Sequence, residues 1–232
     1  LNFAPGWEQS YRFTKHPHAT KHALYKTAKV KQQHCVEVTY PAGQITEGLL
    51  FALNLPPSDH YVLEYDVMFA DNFDFVKGGK LGGVFGGTAP RGGHPNRSGK
   101  GFTARNMWEP QGFISNYVYH TRQKTRYGDQ TRSTKAVFTP GKMHRITFFI
   151  KLNTPGLTDG IVKTWVDEDL VAARTDYLFR QDETLKIDTT EFFTFYGGGD
   201  LSWAPKKDEK AYFCNYRFLT DGRHLTPAAD TQ

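Results

Sequence analysis

The stretch FDFVKGGKLGGVFGG, residues 73–87, resembles a β-strand, yet it places a cation, Lys80, among glycines and apolar residues. Glycine weakens a strand and is often kept where another chain must approach closely. The spacing does not fit a phosphate-binding loop, which needs Gly, four residues and then Gly-Lys-Ser/Thr before a helix. The stretch therefore argues against nucleotide binding. It favours a strand whose face another chain can approach closely.

Runs of β-favouring residues recur on both sides of this stretch along the 232-residue chain, with turn residues between them. Phe, Tyr, Val and Thr favour pleated, half-buried surfaces, and aromatic residues make up 15% of the chain. Helical periodicity is scarce, and no repeat, linker or low-complexity tract divides the sequence. We predict an all-β fold, a single-domain β-jelly roll over residues 1–232 with two antiparallel sheets and a concave groove. The predicted strands are Val36–Tyr40, Tyr61–Phe69, Gly101–Trp108, Ile114–His120, Met143–Leu152, Ile161–Val166, Glu191–Tyr196 and Ala211–Leu219.

The composition narrows the classes of partner. A net charge of +5 suits nucleic acid or an acidic polysaccharide, or reflects a basic surface kept for solubility. The aromatic residues form no recognised RNA-binding signature, so we expect no nucleic acid partner. No run of 18 apolar residues exists, so we expect no membrane span. The chain begins without Met or a basic-then-apolar leader, and we expect a secreted, mature, monomeric protein.

Two cysteines are too few for a disulfide scaffold. Cys35 and Cys214 lie in strand-like runs near the two ends of the chain. They form a disulfide if those strands are neighbours, or stay buried thiols if they are not. The HPH stretch at residues 16–18 and the DNFD stretch at residues 71–74 lack a complete ligand set, so we expect no metal and no cofactor.

The run GFTARNMW, residues 101–108, places polar residues on one face of a strand. Because side chains alternate, Thr103, Arg105 and Met107 share a face, and the apolar residues between them face the core. Arg105 therefore points into solvent or into a groove. Arginine on a strand usually only covers an exposed face, so this feature alone is not specific.

The next run, ISNYVYHTR, places Tyr117 and Tyr119 on one face. If the two runs pair as hairpin neighbours, Arg105 and the tyrosines meet on one surface, and the strand of Lys80 can join them. Tyrosines at this spacing more often cover a sheet than catalyse a reaction. The combined surface would be cationic and rich in hydrogen-bond donors.

The segments KGGKLGGVFGG, GFTARNMW, YVY and FFTFYGGGDLSWAPKKDEKAYF together resemble polysaccharide lyase family 14, over roughly residues 60–219. This family includes alginate lyases of molluscs and of a virus of green algae, with related glucuronan lyases. The resemblance implies a β-jelly roll with a concave groove. It also implies an endo-acting alginate lyase that cuts an acidic polysaccharide by β-elimination. The alternatives are a glucuronan lyase of the same mechanism and a non-catalytic polysaccharide-binding module.

By this resemblance, the family's glycine-flanked lysine corresponds to Lys80. Its Ser-x-Arg pair corresponds to Thr103 and Arg105, and its Tyr-x-Tyr pair to Tyr117 and Tyr119. Threonine keeps the hydroxyl of the usual serine but adds a methyl group. The proline that commonly follows the leucine is absent from KLGG, and the loop from residue 86 to 101 lacks the cysteines of several members. That loop is therefore expected to be more mobile, or held by other means.

The chemistry explains why such residues would be needed. β-Elimination removes the proton on C5 of a uronate and concentrates negative charge beside its carboxylate. Arg105 can grip a carboxylate with two parallel bonds, and Lys80 adds a point charge. Tyr117 or Tyr119 would be the base and the acid, with nearby cations lowering the phenol pKa, although Lys80 is an alternative base. Thr103 would orient the sugar.

Three further residues are candidates for substrate binding. Trp203 either stacks on a sugar ring or anchors a loop or the core. Tyr196, at a strand end before three glycines, is a weaker candidate for the groove. Arg91 lies on the glycine-rich loop, which either closes over a polyanion or is simply exposed and flexible.

Overall fold

The computed structural model describes residues 24–219, in which thirteen β-strands and two single-turn 3₁₀ helices are present. The HPH stretch at residues 16–18 lies outside this part. None of the helices described has the length or hydrophobicity of a membrane span. The strands are β1 Tyr25–Val30, β2 Gln33–Tyr40, β3 Thr46–Ser58, β4 His60–Phe69, β5 Gly79–Gly87, β6 Gly101–Trp108, β7 Ile114–Tyr119, β8 Asp129–Arg132, β9 Met143–Lys151, β10 Gly160–Val166, β11 Asp169–Tyr177, β12 Ile187–Tyr196 and β13 Glu209–Leu219, and the 3₁₀ helices are Pro110–Gly112 and Leu201–Trp203.

The strands form two antiparallel sheets. One sheet has seven strands in the order β1-β2-β13-β4-β9-β10-β11, and the other has six in the order β3-β12-β5-β6-β7-β8. Long connections bring β12 between β3 and β5, and β13 between β2 and β4. This architecture confirms the predicted all-β jelly roll, whereas the extent of one domain over residues 1–232 stays a prediction.

The core lies between the sheets because buried and less buried side chains alternate along strands such as β9 and β10. Aromatic rings fill much of it. The rings of Phe69 and Tyr196 lie 5.7 and 5.5 Å from Trp108, in edge-to-face arrangements that aromatic pairs favour. The high aromatic content of the sequence is therefore explained in part by the space between the sheets.

A buried polar cluster joins the sheets beneath the polar face of β6 and β7. The amide nitrogen of Asn106 donates to Asn116 at 3.1 Å and to the hydroxyl of Thr164 at 2.9 Å. The Thr164 hydroxyl in turn donates to the Asn116 carbonyl at 2.6 Å. Buried side-chain hydrogen bonds of this kind fix relative position, so the cluster holds β6 and β7 in register against β10.

Each predicted strand coincides with an observed one, and β6 has the predicted bounds. The sequence does not predict β3, because Pro56 and Pro57 near its end resemble a turn. β3 lies at the edge of the six-stranded sheet, where residues without an N–H group are tolerated. The proline pair therefore extends an edge strand.

Cys35 of β2 and Cys214 of β13 form a disulfide, which resolves the alternative that the sequence leaves open. The two residues are direct partners in the antiparallel register of β2 and β13. The bond joins two strands of the seven-stranded sheet that are far apart along the chain.

Candidate active site

One face of the six-stranded sheet gathers the charged and phenolic residues that the sequence singles out. The register of β6 and β7 pairs Arg105 with Tyr117 and Thr103 with Tyr119. Lys80 of β5 is paired with Met107, which lies one pleat along β6 from Arg105. Paired positions share a face of a sheet, so these residues lie together, as strand alternation predicts.

A cleft of about 1030 Å³ lies over this face. Lys80, Met107 and Tyr117, on the middle strands of the sheet, line the floor of this cleft. The loop that follows β12 lines it on one side and includes Trp203, and the segment that leads into β8 lines it on the other and includes Tyr127. Residues 24–219 contain no group of three or more His, Cys, Asp or Glu side chains that could hold a metal ion.

Lys80 lies on an aromatic surface contributed by β12. Its ammonium is 5.3 Å from the ring centre of Phe193 and 4.8 Å from that of Phe195. Within the described residues it forms no hydrogen bond or ion pair. Burial, reinforced by the positive charges of Arg105 and Arg91, lowers the pKa of Lys80 to about 8. Lys80 can therefore exchange a proton near neutral pH.

Arg105 forms a buried ion pair with Glu191 of β12. Its Nη2 donates to one carboxylate oxygen of Glu191 at 2.9 Å, and Arg91 donates to the other oxygen at 2.9 Å. The register places Gly83 directly between Arg105 and Glu191. A Cβ at residue 83 would lie 2.4 Å from the Cβ of Arg105. The glycine thus leaves room for the arginine to reach across β5.

Tyr117 and Tyr119 are joined by a hydrogen bond of 3.1 Å between their hydroxyl groups. The oxygen of Tyr119 also accepts from the backbone N–H of Gly93 at 3.0 Å, and this tyrosine is only 1% exposed. Burial and the hydrogen bond to Tyr119 raise the pKa of Tyr117 well above its usual value, outweighing the opposite effect of Arg105. The expectation that nearby cations lower the phenol pKa is therefore wrong for Tyr117.

The glycine-rich loop between β5 and β6 is anchored on the site. The hydroxyl of Thr103 donates to the carbonyl of Pro90 at 2.9 Å, and Gly93 is held by Tyr119. Arg126 also donates to the carbonyl of Gly93 at 3.3 Å. Of the two alternatives for this loop, greater mobility or other means of attachment, the structure shows the second. Thr103 contacts the loop rather than the open cleft.

The comparisons agree with this fold and face. The family model described as Polysaccharide lyase 14 matches residues 28–216. The chain belongs to polysaccharide lyase family 14. It is therefore an enzyme of the polysaccharide lyase class, and the alternative of a non-catalytic binding module is set aside. A search of curated proteins finds no match.

Solved structures of several lyases are similar to this family 14 chain. The marine PL-14 alginate lyase from Aplysia kurodai is 28% identical, with a TM-score of 0.74 over 85% of this chain and 87% of the other. A double mutant of alginate lyase Aly36B in complex with alginate tetrasaccharide is 27% identical, with a TM-score of 0.73 over 81% of each chain. The endo-β-1,4-glucuronan lyase from Trichoderma reesei, 11% identical with a TM-score of 0.56 over 94% and 93% of the two chains, shares the fold.

The remaining predicted residues of this family 14 lyase fall in different places. Trp203 lines the cleft and packs against Gly198, where a Cβ would lie 2.4 Å from the indole. Arg91 lies beside the face, paired with Glu191. The placement of Tyr196 in the groove is wrong, because this residue is fully buried in the core and its hydroxyl donates to the carbonyl of Asp74. Side chains alternate along a strand. Because Phe195 faces the cleft, the next residue, Tyr196, faces the core.

Three residues of the site in this family 14 lyase are not singled out by any pattern described above for the sequence. Glu191, Phe193 and Phe195 alternate along β12, so they share the face that carries Lys80. The EFFTF pattern, residues 191–195, contains that alternation, and an acid that alternates with two aromatic residues on one face is a usable signal. The pairing of β12 with β5 links residues more than a hundred positions apart, and no local pattern reveals it.

Proposed function

We propose that this family 14 lyase degrades alginate, cutting the polymer internally by β-elimination. The observation that carries the proposal is the placement of Lys80, Arg105 and Tyr117 on one face of the sheet, where Lys80 and Tyr117 line an open cleft. The similarity to alginate lyases of 28% and 27% identity supports the choice of substrate. The net positive charge of the chain suits a polyanionic substrate.

Arg105 is proposed to bind the uronate carboxylate. One nitrogen of its guanidinium is paired with Glu191, and its other N–H groups form no further hydrogen bond in the described part of the chain. Because a guanidinium has five donors in a rigid fork, those groups can hold a second carboxylate. Neutralising that carboxylate makes the C5 proton more acidic and stabilises the charge that develops when it leaves.

Lys80 is proposed as the base and Tyr117 as the acid. A pKa of about 8 leaves a useful fraction of Lys80 neutral near that pH, whereas the raised pKa of Tyr117 keeps the phenol protonated. The neutral amine takes the proton from C5, a double bond forms between C4 and C5, and the bond from C4 to the glycosidic oxygen breaks. Tyr117 donates its proton to that oxygen, which leaves as a hydroxyl group.

The shared face of Lys80 and Tyr117 favours one stereochemistry. In mannuronate the C5 proton and the glycosidic oxygen on C4 lie on the same side of the ring, whereas in guluronate they lie on opposite sides. A base and an acid that approach from one side suit the first arrangement. We therefore propose a preference for mannuronate over guluronate. Glucuronate has the same arrangement at C4 and C5 as mannuronate and differs from it at C2.

The cleft supports internal cutting, because residues line it on both sides of Lys80, through Trp203 and through Tyr127. A polymer lying across the sheet could extend past the reacting sugar in both directions. The Cys35–Cys214 disulfide supports a secreted enzyme, since disulfides persist mainly in oxidising compartments.

The test is a panel of polymannuronate, polyguluronate and glucuronan, with the ultraviolet absorbance of the unsaturated product as the readout. We expect the fastest rise on polymannuronate, with oligosaccharides of several lengths appearing early. A faster rise on glucuronan would replace alginate by glucuronan as the substrate. No absorbance on any of the three polymers would refute the proposal.

A further inference from the structure

Glu191 is an acidic residue in a site proposed to bind acidic sugars. Its side chain is only 2% exposed, and each carboxylate oxygen accepts from a different arginine at 2.9 Å. One partner, Arg105, belongs to the sheet and is itself 7% exposed. The other, Arg91, belongs to the glycine-rich loop and is 48% exposed. The carboxylate therefore bridges the floor of the site and the loop beside it.

A buried carboxylate at this place requires an explanation. Burial of a charge is unfavourable unless it is paired and hydrogen-bonded, and Glu191 also weakens the positive field that a polyanion would meet. The arrangement is nonetheless well built. Gly83 lacks the side chain that would block Arg105, and the Arg105 guanidinium lies 5.6 Å from the ring centre of Phe193. These features fix the direction in which the guanidinium points.

We propose that Glu191 is a positioning residue, which holds Arg105 so that its free N–H groups meet the substrate carboxylate and ties Arg91 to the same point. This inference rests on the proposed function. Glu191 does not act as the base, because both of its oxygens are occupied. Arg105 and Arg91 also hold the pKa of this carboxyl below its usual value, against the effect of burial.

The negative charge of Glu191 also acts on the pKa of Lys80. A residue that only stabilised the fold would not change this pKa, so the pKa distinguishes the two roles. The charged groups around Lys80 come from four elements: Arg105 on β6 and Arg91 on the loop lower its pKa, whereas Glu191 on β12 and Glu47 on β3 raise it. The raised pKa of Tyr117 on β7 keeps that phenol neutral, so it adds no charge beside Lys80. Removal of the negative charge at residue 191 therefore lowers the pKa of Lys80 further.

Glu191→Gln tests both effects, because it keeps the shape of the side chain and removes its charge. We expect kcat/KM to fall about 100-fold, the scale of a small displacement of a catalytic group. We also expect the rising limb of the kcat/KM pH profile to move below its wild-type position. Glu191→Asp keeps the charge but is one methylene shorter, so kcat/KM should fall about 10-fold with the limb nearly unmoved.

Asp66→Asn is the matched control, since Asp66 is a buried carboxylate paired with Arg145 on the seven-stranded sheet. It should lose stability while kcat/KM and the pH profile stay as in the wild type. The proposal is overturned if Glu191→Gln retains kcat/KM within twofold. It is also overturned if the folded Glu191→Asp variant matches the wild type.

A second measurement needs no turnover. In ¹⁵N spectra of arginine side chains, the Arg105 signals, assigned with Arg105→Lys, should report a rigid guanidinium in the wild type and a mobile one in Glu191→Asp. Unchanged Arg105 signals would overturn the positioning role. If the wild type fails on every uronate polymer, the proposed function falls, and these spectra still decide whether Glu191 holds Arg105.

Discussion

The ammonium of Lys80 lies 4.8 Å from the ring centre of Phe195, its direct cross-strand partner on β12. A cation over an aromatic ring gains about 0.5–2 kcal/mol. The fall of the Lys80 pKa from 10.5 to about 8 corresponds to about 3 kcal/mol in the opposite direction. Loss of water and repulsion from the arginines therefore outweigh the attraction of the rings, and the site holds a destabilised cation.

We predict that Lys80→Met abolishes activity and stabilises the protein at pH 7. Below pH 8 the lysine is protonated in both the folded and unfolded states, so the folded state carries the full cost, on the order of 2–3 kcal/mol. Between pH 8 and 10.5 the folded state releases the proton first, and the cost disappears as the pH rises. Thermal unfolding from pH 6 to 11 should show a gain in Tm that shrinks over this window.

Lys77→Met is the control for that prediction, because Lys77 is exposed and lies on the same segment of chain. Its effect on Tm should be small and should not vary between pH 8 and 10.5. If Lys80→Met lowers the Tm at pH 7, the ammonium is not destabilised in the folded enzyme.

The roles proposed for Lys80 and Tyr117 predict the pH dependence of the wild-type enzyme. We expect kcat/KM to rise with pH as Lys80 loses its proton around pH 8. The raised pKa of Tyr117 should keep its phenol protonated, so the rate should not fall as the pH reaches the usual tyrosine range. Initial rates on polymannuronate across this range test both the rise around pH 8 and the absence of a fall at higher pH. A fall in rate as the pH rises through 8 would exchange the acid and base assignments.

Loss of the Tyr117 hydroxyl should matter more than loss of the Tyr119 hydroxyl. We expect Tyr117→Phe to reduce kcat by about 10²–10⁴, the usual contribution of general acid–base catalysis. Tyr119 is engaged with Gly93 and Tyr117, so Tyr119→Phe should lower kcat by about 10-fold through displacement of its neighbours. Steady-state kinetics of the two variants, with folding checked by circular dichroism, provide the comparison. Equal losses would argue against Tyr117 as the sole acid.

The faces of β6 and β7 follow from the sequence, because a period of two residues and a short hairpin connection are local properties. The bounds of β6 and the grouping of Arg105 with Tyr117 are therefore predictable. The position of β12 beside β5 depends on long-range topology, so the contact of Glu191 with Arg105 across Gly83 is not. The direction of the Tyr117 pKa shift is likewise not predictable from the sequence, because it depends on burial that exists only in the folded chain.

We predict that Gly83→Ala inactivates the enzyme. The added Cβ would lie 2.3 Å from the carbonyl of Ala104 and 2.4 Å from the Cβ of Arg105, both closer than real contacts. Arg105 would be displaced from Glu191, and kcat/KM should fall at least about 100-fold. The neighbouring substitution Gly82→Ala meets the Tyr216 hydroxyl at 2.9 Å instead, so it should lower the Tm and spare the activity of the folded fraction. Equal activity of the two variants would contradict the role of Gly83.

The Cys35–Cys214 disulfide should contribute to stability without affecting catalysis. It closes a loop with a sequence separation of 179 residues, for which chain entropy sets an upper value of about 5 kcal/mol, and typical values are 2–4 kcal/mol. We expect the double variant Cys35→Ser/Cys214→Ser to unfold at a clearly lower temperature. Its kcat should be unchanged at a temperature where it is folded, because both residues lie on the sheet that does not carry the cleft.

Substitutions of Thr103 test whether its hydroxyl anchors the glycine-rich loop or binds the substrate. Its hydroxyl donates to Pro90 and so holds the loop that carries Arg91 and Gly93. We expect Thr103→Val, which keeps the shape but removes the donor, to lower kcat/KM by about 10-fold and to increase proteolytic cleavage between residues 88 and 100. Thr103→Ser restores the donor and should recover both properties. If Thr103→Val raises KM while the loop stays resistant to protease, the hydroxyl binds the sugar directly and the anchoring role is wrong.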